Sequence, residues 1–225
     1  MIETFNEENL HTLYDLVAAK DKDLKAIIKE YGYPPLWIRT NSFETLVLTI
    51  LEQQVSLASA YSAYKKLKER TRLTPQNLAM LTDDELRSCY LSRQKIVYTR
   101  ELASAILTKK IKLKKFEALP DDIVRTELKA LKGIGDWTVD IYLLHALRRT
   151  DIFPIGDLAL VNSIKMIKQL SSITKDELLE LSKKWKPYRS IATMLFWHYY
   201  IKKRGLPIPI AIGTSGRGAS LQHRL

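Results

Sequence analysis

Apolar residues in this chain recur every third or fourth position and show no sustained alternation with polar ones. That is the period of helices buried along one face, not of strands. From Phe43 to Arg70 a stripe runs through Phe43, Leu46, Val47, Ile50, Leu51, Ala58 and Tyr61. Gln53-Gln54 interrupts it and Ser56 is a candidate N-cap, so periodicity leaves open whether this is one helix or two. Upstream, Glu7 to Val17 and Asp21 to Tyr31 read as two short amphipathic helices, stopped by Gly32-Tyr33-Pro34-Pro35. Downstream, Thr74-Pro75 is a cap followed by proline at the first helical position, and Thr82–Glu85 and Thr174–Glu177 carry the capping-box pattern. Ser92 opens a helix reaching about Lys109, Pro120-Asp121 opens another, and an aromatic-rich helix over Tyr188 to Ile201 follows Pro187. The pattern predicts an all-α fold. Residues 210–225 have no apolar face and are set apart as a disordered tail or an expression scar.

The most informative stretch is Leu131 to Leu160. Gly133-Ile134-Gly135 lies between two helical segments, and its glycines free the backbone to turn and leave N–H groups uncovered. At the start of the helix beginning near Asp136, such groups can hold a phosphate. An ordinary helix-turn-helix would show the same spacing. Asp157 precedes Leu-Ala-Leu-Val and is a normal N-cap by position. Asp136, Asp140 and Asp151 read as a cap, a solvated helix residue and a loop residue.

Composition narrows the partners. Of 225 residues, 46% are hydrophobic, and 36 Lys and Arg against 25 Asp and Glu leave a net charge of +11. A globular chain with that surplus suits a polyanion, nucleic acid before membrane. The single cysteine, Cys89, excludes an internal disulfide, a cysteine-rich zinc site and a four-cysteine iron–sulfur cluster. The histidines at 11, 145, 198 and 223 lack ligand spacing, so no side-chain metal site is expected. No apolar run spans a bilayer and the N-terminus is polar, which reads as cytoplasmic.

Four ordered segments then carry a resemblance. Leu131 to Thr138, LKGIGDWT, resembles the hairpin of helix-hairpin-helix DNA glycosylases, and Phe153 to Asp157, FPIGD, the segment bearing their essential aspartate. Ile50 to Ser56, ILEQQVS, is similar to the Q-Q-[IV]-S signature of that family. Trp185 to Ser190, WKPYRS, followed by Trp197, is similar to its C-terminal element. Together they resemble the 3-methyladenine DNA glycosylase II branch in a compact form without an N-terminal mixed α/β domain.

The resemblance implies one domain over residues 1–209, with two helical subdomains around a cleft, the central one at about 40–150. It implies Asp157 as the catalytic carboxylate, with Trp137, Trp197 and Tyr142 in a base pocket. Gln54 becomes the wedge entering the duplex, with Gln53, Ser56, Lys132, Gly133, Ile134, Gly135 and Thr138 contacting DNA. The carbonyls of Lys129, Leu131 and Ile134 would hold a monovalent cation, and no other cofactor is implied. Bifunctional relatives place a Schiff-base lysine two residues after the second hairpin glycine; Trp137 stands there, which implies a monofunctional enzyme. Ile141 stands where some members carry a pocket tyrosine. The implied partner is double-stranded DNA with alkylated, cationic purines, the enzyme a monomer, nucleoid-associated if bacterial. A non-catalytic DNA-binding module and a glycosylase for another lesion are the alternatives.

Overall fold

The computed structural model describes residues 3–206, so the stretch 210–225 lies outside the described residues. Within them are twelve α-helices, two 3-10 turns and, in place of any sheet, one isolated antiparallel bridge between Thr4 and Arg149. Helix α1 (Leu10–Lys20) begins later than the apolar pattern predicts. Asn6 Oδ1 accepts from the backbone of Glu8 and Asn9, and Asn9 Oδ1 accepts from Asn6 N. Short polar side chains bonding to nearby backbone in this way compete with the first helical turn. Helix α2 (Lys22–Tyr31), capped by Asp21, stops at Gly32, whose φ of 75° only glycine adopts freely.

The stripe from Phe43 onward is two helices, α3 (Phe43–Glu52) and α4 (Leu57–Arg70), each with its own serine cap, Ser42 and Ser56. Then come α5 (Pro75–Met80), α6 (Asp83–Ser88) and α7 (Arg93–Leu107), capped by Thr74, Thr82 and Ser92. The hairpin joins α8 (Asp121–Lys129) to α9 (Asp136–His145). Helices α10 (Leu158–Lys168), α11 (Lys175–Ser182) and α12 (Arg189–Arg204) complete the described chain. Both capping boxes are formed on both sides, at Thr82–Glu85 and Thr174–Glu177.

The helices pack as two groups. In one, α3 lies against α4, α7 and α9, with α5 and α6 on α7 and α8 on α9. In the other, α12 lies against α1, α2 and α10. Helices α3, α9 and α12 are the centre: all of α3 except Glu44, Thr138 to His145 of α9, and Ser190 to His198 of α12 are buried. A helix covered on every side loses its polar face, which is why these three read as apolar runs. Each large side chain buried there contributes roughly 1.5–3 kcal/mol.

The second group draws on both ends of the chain. Buried Asp21 accepts from Trp185 Nε1 at 3.0 Å and pairs with Lys184 and Lys168. The tryptophan of the WKPYRS element is therefore a fully buried core residue. Arg189 of that element holds Asp151 with Nε at 2.7 Å and Nη2 at 2.9 Å.

Candidate active site

Asp157 caps α10, its Oδ1 accepting from Leu160 N at 2.8 Å. The same oxygen accepts from Trp197 Nε1 at 2.9 Å, and Oδ2 accepts from Trp137 Nε1 at 2.9 Å. Trp137 stands on the first turn of α9 and Trp197 in the middle of α12, so each helix group supplies one donor. The N-cap and the chemical role that the sequence offered for Asp157 are compatible in one geometry. The cap uses one oxygen, and the two indoles clamp the carboxylate between the groups. Asp157 and Trp137 are partly exposed, whereas Trp197 is 8% exposed.

Behind Trp197 lies a residue that no motif identified. The imidazole of His145 is stacked on the indole, with ring centroids 5.4 Å apart and planes 14° from parallel. Its Nδ1 is 2.6 Å from the Trp37 carbonyl. Burial, then the Arg39 charge, hold its pKa down at about 3 against the opposing pull of that carbonyl. The folded protein thus binds fewer protons here than the unfolded chain, so this contribution to stability is full above about pH 6.5 and is lost as pH falls. Lowering the pH from 7.5 to near 5 should cost about 2 kcal/mol in urea unfolding. His145→Phe should remove that loss, leaving only the additional loss that His198 contributes, since burial lowers its pKa as well.

The hairpin is anchored by buried Leu131 and Ile134 and presents Lys132 and Gly135 to solvent. Gly133 has φ +87°, and a Cβ there would lie 2.1 Å from Cγ of Tyr98. Only glycine lets the turn rest on that ring. Around a Cβ at Gly135 there is nothing within 4 Å. Lys129 pairs with Asp136 at 2.6 Å, and Leu131 O accepts from Ile134 N at 3.2 Å.

Other residues singled out in the sequence take varied places. Gln53 Nε2 donates to Gly133 O and to Thr138 Oγ1, both at 2.9 Å. Gln53 and Thr138 therefore fasten the end of α3 to both sides of the hairpin. Gln54, at φ 55°, is exposed on the turn between α3 and α4, and Ser56 spends its hydroxyl capping α4. Tyr142 is fully buried, donates to Asn41 Oδ1 at 2.6 Å and meets Phe116 edge-on. Five residues past Trp137, it lies toward the other side of α9, so its ring fills the core and not the space beside Asp157. Asp140, read as solvated, is buried against Arg125, and desolvation raises its pKa. His198 turns from the site, with Nε2 3.2 Å from the Tyr31 carbonyl.

Sequence reasoning also missed a buried ion pair. Arg39 reaches Glu52 through two bonds of 2.8 and 2.7 Å, at the end of α3 just before Gln53 and Gln54. The available signal was a carboxylate closing a run, Leu46 to Leu51, that is apolar but for Thr49.

This arrangement, a hairpin grip beside a carboxylate held by two indoles, coincides with a family match over residues 47–187, more than half of the chain. The chain belongs to the HhH-GPD superfamily of base excision DNA repair proteins. This HhH-GPD chain is 30% identical over 210 residues to a DNA-3-methyladenine glycosylase of Bacillus subtilis, covering 87% of itself and 69% of that protein. A solved DNA-3-methyladenine glycosidase from Bacillus halodurans superimposes with a TM-score of 0.72 at 27% identity, over 86% of this chain and 91% of that one. The Schizosaccharomyces pombe 3-methyladenine DNA glycosylase, solved with abasic DNA, shares the fold at a TM-score of 0.79 and 24% identity, over 86% and 97% of the two chains. Among the described residues no helix is long and apolar enough to cross a membrane.

Proposed function

We propose that this protein is a monofunctional DNA glycosylase that removes alkylated, cationic purines such as 3-methyladenine and 7-methylguanine by hydrolysis. The observation that carries the reading is the Asp157 carboxylate, fixed by three N–H donors with an indole on each side. Cleaving an N-glycosidic bond builds positive charge on the sugar, and a preorganised carboxylate stabilises that charge or orients the attacking water. Reaching the base requires extruding the nucleotide. Gln54, on its exposed turn, fills the gap, while the backbone N–H groups at the hairpin and Lys132 hold a phosphate of the strand.

The choice of base follows from what the site lacks. His145 stays neutral and its Nδ1 is engaged, His198 faces Tyr31, and burial raises the Tyr142 phenol, which donates to Asn41. None of these three is placed to protonate a leaving base. A purine alkylated on a ring nitrogen already carries positive charge and leaves without an acid. It also gains about 0.5–2 kcal/mol by stacking on tryptophan.

We also propose that the carbonyls of Lys129, Leu131 and Ile134 hold a monovalent cation; Leu131 O keeps a second lone pair for it after accepting from Ile134 N. Such an ion would add positive charge beside the bound phosphate.

Incubation with methylated genomic DNA should release 3-methyladenine and 7-methylguanine, identified by mass. Borohydride should trap no covalent adduct, and strands should break only after alkali, because Trp137 replaces the amine that would attack the sugar. Duplex binding without base release would leave only a DNA grip, and a trapped adduct would assign a lyase.

A further inference from the structure

His145 closes α9 and belongs to no motif. A carbonyl only accepts, so the 2.6 Å contact with Trp37 O places the imidazole proton on Nδ1 and the lone pair on Nε2. The backbone of the same residue accepts from Arg39 N at 2.9 Å, while the Arg39 side chain is spent on Glu52. The ring is thus pinned at its edge by Trp37 and over its face by Trp197, whose Nε1 in turn donates to Asp157. Imidazole, indole and carboxylate follow one another from the core to the site.

We propose that His145 is a positioning residue that sets base specificity: a flat, neutral ring stacked behind Trp197 keeps the indole aimed at Asp157 and leaves its outer face attractive to a cationic base. An indole draws a cation through the negative face of its π system. A charged neighbour stacked behind it would oppose a cationic base in front, and an aliphatic neighbour would not fix the tilt of the plane. His145 avoids both. Burial and the nearby guanidinium keep it uncharged, and Glu52 balances that guanidinium within the core. The inference rests on the proposed excision of cationic purines.

The test compares His145→Leu, which keeps volume without a plane, with His145→Phe, which keeps a flat neutral ring. Single-turnover release of 7-methylguanine and of hypoxanthine is measured beside abasic-duplex affinity and melting temperature. His145→Leu should slow 7-methylguanine release about tenfold, with hypoxanthine release and abasic affinity changing less than about threefold. His145→Phe should return the 7-methylguanine rate to within about threefold of wild type. Where hypoxanthine release is too slow to follow, the 7-methylguanine rate against abasic affinity separates the same outcomes. Parallel losses in every readout, or a phenylalanine variant as slow as the leucine one, would overturn the inference. A wild-type protein that releases 7-methylguanine, with both variants unchanged, overturns the inference alone. A wild type that releases no methylated purine overturns the proposed function and this inference together.

Discussion

Asp157→Asn is expected to lower excision of 7-methylguanine by roughly 10²- to 10⁴-fold while leaving affinity for an abasic duplex intact or improved. The carboxamide oxygen can still accept from Leu160 N and Trp197 Nε1, so the cap on α10 and half of the clamp persist. The amide nitrogen then faces Trp137 Nε1, donor against donor, which costs about 1–3 kcal/mol at that contact. What disappears outright is the negative charge facing the sugar as its own positive charge builds. Removing that charge also takes repulsion away from an interface with a polyanion, so binding has no electrostatic reason to weaken. Near-wild-type excision would remove Asp157 from the chemistry, and equal losses in binding and excision would make it a structural residue only.

The two hairpin glycines should fail in different ways. Gly133→Ala puts a Cβ 2.1 Å from the Tyr98 ring at φ +87°, so the ring or the turn must move. Overpacking and a left-handed alanine together cost about 2–5 kcal/mol. The Gln53 bond to Gly133 O is strained with them, and both thermal stability and DNA affinity should fall. Gly135→Val has a φ of −104° and open space around it, so melting should stay within a degree or two while affinity drops on every duplex sequence. Wild-type affinity should fall steeply with salt, as released counterions require. A stable Gly133→Ala protein with normal binding, or a Gly135→Val protein that binds as wild type, would place the DNA elsewhere.

Much of this was legible because its causes are local. Caps at Thr74, Thr82, Ser92, Asp157 and Thr174 act within four residues of themselves and can be read directly from the sequence. The late start of α1 has a local cause too, yet two asparagines that bond each other do not alter the apolar period. What the sequence hid is set by distant partners. Asp140 has the spacing of a surface residue until Arg125 and the surrounding core cover it. Gln53 looks as exposed as Gln54, and only the arrival of the hairpin 80 residues later separates a fastener from a projecting side chain. Tyr142 attracts attention as an aromatic near Trp137, but helical geometry turns it toward Phe116. His145 has no sequence signal, since its role comes from Trp37 and Trp197 meeting around it.

The helix group built from both ends of the chain has a bearing on biosynthesis. Tyr14 touches Met194 across 180 positions, and α1 and α2 have no complete surface to bury until α12 has been translated. Helices α3 to α9, by contrast, find their partners among themselves, and such nearer contacts close sooner than distant ones. During synthesis the hairpin can therefore be fastened before the clamp is complete: Gln53 can already hold it while Trp197, one of the two indoles on Asp157, is still to come. A polypeptide released before α12 would carry the hairpin and Asp157 but lack half of the carboxylate's clamp. Only a polypeptide translated through α12 can complete the three-donor clamp on Asp157.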